Sequence, residues 1–106
     1  MSDCVFCKII TGELDTKFEK ETENLVVFRD IHPQAPLHLL IVPKKHYQDI
    51  TEVENQVWQE IKDVAILIAR SKGLTGFRIV NNAGDSAAIK HMHVHLLGEI
   101  SVDRAV

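Results

Sequence analysis

Three histidines alternate with apolar residues in the run His91-Met92-His93-Val94-His95-Leu96-Leu97. Alternation with a period of two is typical of a β-strand that has one face on the core. In a strand, Met92, Val94 and Leu96 point to one side and all three imidazoles point to the other. In a helix, the same residues would scatter over most of the circumference. The run therefore predicts a strand that carries three imidazoles on one face.

This histidine run indicates a chemical role, because core packing does not require three imidazoles on one strand face. Imidazole acts as acid, base, nucleophile or metal ligand near neutral pH. The alternatives are a solvated sheet face and a chance cluster. His38 and His46 bracket another apolar run, which favours convergence of imidazoles at one place.

The chain has 106 residues, which is enough for one domain over 1–106. Its net charge of −3 gives no electrostatic reason to expect binding to nucleic acid or to a membrane. No apolar run reaches the ~20 residues of a membrane-spanning helix, and Met1-Ser2-Asp3-Cys4 lacks the features of a signal peptide. We therefore expect a cytoplasmic protein whose cysteines stay reduced.

Short apolar runs bounded by turn residues predict the strands of a sheet. The runs 25–28 and 77–81 are rich in β-branched and aromatic residues, and the run 37–42 is ended by Pro43. A weaker alternation at 17–21 predicts an edge strand. The histidine run completes a sheet of about five strands.

Two helices are predicted to accompany this sheet. A short helix over 4–10 ends near Gly12, and the motif Thr51-x-x-Glu54 predicts a capping box at the start of a long helix that ends at Gly73. The inner face of the long helix repeats apolar residues at spacings of four and three, namely Val57, Ile61, Val64 and Ile68. The pattern predicts an α+β fold, with an antiparallel sheet, one long helix and a short N-terminal helix.

The histidine run resembles the signature of the histidine-triad (HIT) family. The segment 30–44, which reads Asp-Ile-His-Pro-Gln-Ala-Pro-Leu-His-Leu-Leu-Ile-Val-Pro-Lys, is similar to the other long motif of that family. The Hint-like nucleotide phosphoramidases are the most similar branch. The resemblance implies a HIT-like α+β fold and a homodimer in which two sheets pair into one of about ten strands.

The resemblance also implies hydrolysis or transfer at the α-phosphorus of a purine nucleotide conjugate of the phosphoramidate type. His93 matches the nucleophile that forms a covalent nucleotidyl-histidine intermediate, and His95 and His38 match residues that contact the phosphate. The residue types are suited to this chemistry, since a neutral imidazole is a competent nucleophile at pH 7 and covalent catalysis divides one difficult step in two.

Further residues match nucleotide-binding positions of the family. Asp30 matches the acidic residue that accepts hydrogen bonds from the ribose hydroxyls. The expected apolar surroundings of the base are Ile31, Phe6, Ile9 and Phe28, although core packing alone would account for Phe28 and Ile9. The asparagine of the site matches either Asn81 or Asn82, and counting from 76–78 favours Asn82.

The pair Cys4-x-x-Cys7 is a second candidate site. Two thiolates at this spacing bind zinc together with two histidines, and the alternative is a pair of reduced structural thiols. A redox role would require a thioredoxin-like βαβ unit, which the pattern lacks. The resemblance supplies His46 and His91 as the remaining ligands, and it implies a closed structural zinc site.

The chain departs from the family pattern directly before the histidine run. The family usually has Gly-Gln and a residue with a hydroxyl or amide there, whereas residues 86–90 read Ser-Ala-Ala-Ile-Lys. Ser86 is a substrate-binding candidate, and either Ser86 or Lys90 could replace the missing donors; Lys90 could equally be solvated. The tail after Gly98 is also short.

The departure keeps other functions open. One is a catalytically weak nucleotide-binding or interaction protein that retains the fold, and another is a dinucleoside polyphosphate hydrolase. A zinc-stabilised scaffold without a nucleotide role would leave His93, His95 and His38 unexplained.

Overall fold

The structure, a computed structural model, describes residues 3–105. Five strands form one antiparallel sheet in the order β1-β2-β3-β5-β4, and two α-helices accompany it. In chain order the elements are α1 (Val5–Ile10), β1 (Lys20–Glu21), β2 (Leu25–Arg29), β3 (Leu37–Pro43), α2 (Asn55–Ser71), β4 (Phe77–Asn81) and β5 (Val94–Gly98). The predicted α+β fold is confirmed.

Strand β3 lies at the centre of the sheet, and all seven of its residues are buried. Its side chains alternate between two cores, as the period of a strand requires. Leu39 and Ile41 pack in the core beneath α2, whereas Leu40 and Val42 pack with Phe6 on the opposite face. The second core is the smaller one, and the candidate site lies on that face.

Helix α2 covers the other face through its predicted apolar stripe. Ile61, Val64 and Ile68 are buried in the larger core, and Val57 packs against it while partly exposed. Replacing Ile61 by alanine would cost roughly 2–5 kcal/mol, because it would leave a cavity under the helix. The helix ends before Gly73, whose φ of +63° is a conformation that glycine adopts without strain.

The predicted capping box is wrong. Asp49, not Thr51, acts as a cap: its carboxylate accepts from the Thr51 amide at 2.9 Å and begins a short 3₁₀-helix over Ile50–Glu52. The Thr51 hydroxyl also donates to Asp49, at 2.5 Å, and Thr51 lies within this 3₁₀-helix, before α2 begins at Asn55. Glu54 is the N-cap residue of α2 without a side-chain cap, since its carboxylate accepts from the Tyr47 hydroxyl instead.

The histidine strand is shorter than predicted. Strand β5 begins at Val94, which pairs with Ile41 of β3 and with Asn81, the last residue of β4. The Met92 amide instead donates to the Tyr47 carbonyl at 2.7 Å. The alternation persists nevertheless, since Met92, Val94 and Leu96 all belong to the core beneath α2. The edge strand β1 is likewise reduced to Lys20–Glu21.

Candidate active site

A cavity of about 400 Å³ lies on the sheet face opposite α2. The structure places nine of the predicted catalytic and substrate-binding residues around it: Phe6, Ile9, Phe28, Asp30, Ile31, Asn82, Ser86, His93 and His95. The lining also includes residues that sequence reasoning did not select, among them Thr16, Leu40, Ala88 and Ile89. Leu40 could have been found, because it lies two residues after His38 on the same strand face.

His93 is buried with only 7% of its surface exposed, and one of its ring nitrogens is already bonded. Its Nδ1 lies 2.8 Å from the main-chain carbonyl oxygen of His91. A carbonyl oxygen only accepts hydrogen bonds, so Nδ1 carries the proton of the neutral ring. The lone pair of His93 is therefore on Nε2.

His38 lies behind His95 and is buried. The main-chain amide of Gln34 donates to His38 Nδ1 at 3.0 Å, so the proton of the neutral His38 ring is on Nε2. This Nε2 lies 2.8 Å from His95 Nδ1, which must then accept. His95 consequently carries its own proton on Nε2, the nitrogen that is not bonded to His38.

Burial keeps these two imidazoles neutral. Burial, with smaller contributions from His93 and His38, lowers the pKa of His95 to about 4. Burial also lowers the pKa of His38. The neighbouring Asp30 carboxylate partly offsets this lowering, and the positive charge of Arg104 adds to it. Near pH 7, His95 is therefore a neutral hydrogen-bond donor.

Asp30, His38 and His95 bring ligand-type atoms within 4.8 Å of one another. A metal ion there would need a lone pair on His38 Nε2, which is 3.4 Å from the Asp30 carboxylate. That nitrogen carries the proton, because the Gln34 amide occupies Nδ1. The hydrogen bonds therefore favour a proton-bearing network over a metal site at this position.

The two neighbouring asparagines have different environments. Asn82 lines the cavity, whereas Asn81 donates to the main-chain carbonyl of His93 at 2.9 Å. Asn81 pairs with Val94 across the sheet and so lies on the α2 side. The geometry thus makes Asn82 the candidate for contact with a ligand, and it gives Asn81 a role in holding the histidine run.

Cys4, Cys7, His46 and His91 form a second group, whose ligand atoms all lie within 4.8 Å of one another. Cys4 Sγ is 3.2 Å from His91 Nδ1, and Cys7 Sγ is 3.3 Å from His46 Nδ1. Two ligands of a tetrahedral zinc ion, one sulfur and one nitrogen, are about 3.5 Å apart when their bonds to zinc are about 2.3 and 2.0–2.1 Å. The four residues therefore fit a zinc ion.

The surroundings of this group orient its ligands. His91 is fully buried, and its Nε2 donates to the Pro43 carbonyl at 2.8 Å, which leaves the lone pair on Nδ1, facing the sulfurs. Cys4 is the N-cap residue of α1, and its sulfur accepts from the Cys7 amide at 3.4 Å. The start of α1 thus holds both cysteines against the histidine run.

Residues 11–101 match the model of the HIT domain family, and the chain belongs to that family. A HIT family hydrolase from Clostridium thermocellum has the same fold, with a TM-score of 0.89 and 34% identity, covering 100% of this chain and 98% of its own. The chain therefore has a HIT hydrolase-like fold.

Two further similar proteins are zinc proteins. The 14 kDa zinc-binding protein of Zea mays is 38% identical over 92% of this chain and 82% of its own length. A Zn-bound histidine triad family protein from Mycobacterium smegmatis is similar with a TM-score of 0.86 and 28% identity, covering 99% of this chain and 81% of its own.

Within residues 3–105, no helix is long and apolar enough to cross a membrane.

Proposed function

We propose that this protein hydrolyses or transfers the nucleotidyl group of a purine nucleotide phosphoramidate through a covalent intermediate on His93. The observation that carries the proposal is the hydrogen bond from His93 Nδ1 to the His91 carbonyl. It leaves the Nε2 lone pair of a cavity-lining imidazole available for attack on phosphorus.

The nucleoside part of the substrate fits the apolar end of the cavity. Phe6 and Phe28 pack edge to face there, with ring centroids 5.7 Å apart. Ile31 is 86% exposed, and a bound base would cover it. The Asp30 carboxylate accepts from the His32 amide at 2.8 Å and retains lone pairs for the ribose hydroxyls.

The chemistry proceeds in two displacement steps. In the first, His93 Nε2 forms a bond to phosphorus, the bond from phosphorus to the amine nitrogen breaks, that nitrogen takes a proton from solvent, and His95 Nε2 donates a hydrogen bond to a phosphoryl oxygen. In the second, water attacks phosphorus, the bond to His93 breaks, and the proton released by water returns to solvent. The sum is a nucleoside monophosphate and a free amine.

The charge of the cavity favours a substrate with a single phosphoryl group. Arg29 is the one lysine or arginine among its lining residues, but the guanidinium side chain is 59% exposed and lies 3.6 Å from the Glu19 carboxylate. Asp30 adds a negative charge, and His95 is neutral. A polyphosphate chain would thus bring several negative charges to a cavity whose described lining has Arg29, paired with Glu19, as its one cation, which disfavours dinucleoside polyphosphates.

We propose that Cys4, Cys7, His46 and His91 bind one structural zinc ion per chain. The fit of the donor distances and the zinc-binding relatives support this. Zinc held by four protein ligands has no open position for substrate, so its role is to fix the ligands. Thiolate ligands require reduced cysteines, which supports a cytoplasmic location.

We also propose a homodimer formed through β4 and α2. Strand β4 is an edge of the sheet, and Phe77 and Ile79 on it are 41% and 43% exposed. Ile79 pairs with Leu96 and so lies on the α2 side, where Trp58 of the helix is also exposed. A second copy would cover these apolar side chains and the free strand edge.

The decisive experiment is hydrolysis of adenosine 5′-phosphoramidate by the zinc-loaded protein, compared with the His93→Ala variant. We expect turnover by the wild type and none by the variant. A catalytically weak binding protein would instead bind AMP without turnover. If the wild type binds AMP and releases no amine, the binding function replaces the proposed enzyme.

A further inference from the structure

Lys90 contacts two main-chain carbonyls of the loop between β4 and β5. Its ammonium nitrogen lies 2.5 Å from the Gly84 carbonyl oxygen and 2.7 Å from the Ala87 carbonyl oxygen. These carbonyls lie at either end of a short 3₁₀-helix over Gly84–Ser86. The sequence suggested either a replacement for the missing donors or a solvated side chain; Lys90 is exposed, and its ammonium bonds carbonyls of the loop.

Apart from Asp85 and Ser86, residues 83–88 lack polar side chains that could hold this shape. Ala83, Ala87 and Ala88 have none, and Gly84 adopts a φ of +59°. The Ala87 amide donates to the Gly84 carbonyl at 3.1 Å, the same oxygen that Lys90 contacts. The Gly84 amide in turn donates to the Asp49 carboxylate at 3.3 Å.

This loop forms one side of the candidate active site. Ser86 and Ala88 line the cavity together with His93 and His95. Lys90 is not among the lining residues of that cavity, so its ammonium acts on the loop and not on a bound phosphate. It immediately precedes His91, and it thus links the loop to the histidine run.

We propose that Lys90 is a positioning residue: by bonding the Gly84 and Ala87 carbonyls it holds Ser86 and Ala88 at the cavity against His93. The consequence for turnover rests on the proposed function, whereas the consequences for loop order and nucleotide binding do not. An ammonium with two carbonyl acceptors supplies charge-assisted hydrogen bonds, which are stronger than neutral ones.

The test compares Lys90→Met, which removes the donors and keeps the chain length, with Lys90→Arg, which keeps a cation. Lys17→Met, at an exposed position before β1 and outside the cavity lining, is the matched control. Three quantities are measured on the full-length, zinc-loaded proteins. These are amide hydrogen exchange in the loop by NMR, the affinity for AMP by calorimetry, and kcat and KM with adenosine 5′-phosphoramidate.

We expect Lys90→Met to speed exchange of the Ser86 and Ala87 amides about tenfold, while exchange in β3 stays unchanged. AMP affinity should fall about three- to tenfold and KM should rise with it. Lys90→Arg should restore both to within about threefold of the wild type, and Lys17→Met should behave as the wild type. A purely structural role would lower the unfolding temperature and leave AMP affinity unchanged.

The outcomes separate this proposal from the proposed function. If the wild type shows no turnover but Lys90→Met still loosens the loop and weakens AMP binding, Lys90 keeps its role and the enzyme proposal fails. If Lys90→Met leaves both loop exchange and AMP affinity unchanged, the role of Lys90 is refuted. Lys90→Gln, which is too short to bond both carbonyls, replaces Lys90→Met if that variant does not fold.

Discussion

His93 donates its Nδ1 proton to the main-chain carbonyl of His91, 2.8 Å away. The His91 side chain belongs to the Cys/His group, with its Nδ1 at 3.2 Å from Cys4 Sγ. One residue therefore connects the two candidate sites: its side chain faces the cysteines, and its main chain orients the proposed nucleophile. Any change that moves His91 should alter the direction of the His93 lone pair.

Replacing His93 by alanine should abolish turnover while the affinity for AMP stays within roughly tenfold, or about 1.4 kcal/mol. The reason is that the bond to phosphorus forms only during reaction, whereas the base and ribose contacts remain. Single-turnover mixing with labelled substrate, analysed without acid because the phosphoramidate bond is acid-labile, should trap an adduct on the wild type. Turnover by the variant at the wild-type rate would exclude the covalent mechanism.

The lowered pKa of His95 predicts that the free energy of unfolding falls on acidification. The unfolded chain takes up a proton near pH 6.5, but the folded chain does so only near pH 4. The stabilisation is fully present above about pH 6.5 and is lost progressively as the pH falls to about 4. Because His95 is only partly buried, we expect the free energy of unfolding to fall by about 1–2 kcal/mol over this range.

Urea unfolding of the wild type and of His95→Gln between pH 4 and pH 7 checks this prediction. The difference between the two proteins isolates His95, since both lose metal ligands to protonation in the same way. The variant should show the smaller loss of stability on acidification. Equal losses would mean that His95 does not carry the effect.

Local pattern was enough to predict the central parts of the fold. Strand β3 and the buried face of α2 follow from runs and spacings that involve neighbours in sequence. The capping box failed because Asp49, two residues before Thr51, caps a 3₁₀-helix that contains Thr51, so α2 begins only at Asn55. Local motifs compete in this way, and the sequence alone does not rank them.

The contacts that define the site are long-range and could not be predicted in detail. His38 and His95 are 57 positions apart, and the pairing of β3 with β5 brings them together. The Gln34 amide, which sets the tautomer of His38, is a main-chain group without a sequence signal. Lys90 was ambiguous for the same reason, since its acceptors are main-chain carbonyls.

Removing the proposed zinc should destabilise the protein. We expect one zinc per chain by elemental analysis and none in Cys4→Ser, with a loss of at least about 2 kcal/mol, or roughly 10 °C in unfolding temperature. The conservative change Thr11→Ser, at the exposed end of α1, is the control and should keep its metal. A chelator should lower the stability of the wild type but not of Cys4→Ser. Unchanged metal content in Cys4→Ser would contradict the site.

The proposed dimer predicts that an acidic residue on the exposed edge strand should separate the two copies. Ile79→Glu places a charge among apolar side chains that dimer formation would bury, and burial of an unpaired carboxylate is costly. In sedimentation at micromolar concentration, the wild type should have twice the chain mass and the variant the mass of one chain. Leu14→Glu makes the same change at a residue that is 41% exposed but lies outside β4 and α2, so it should remain dimeric. A wild type that sediments as a single chain would contradict this interface.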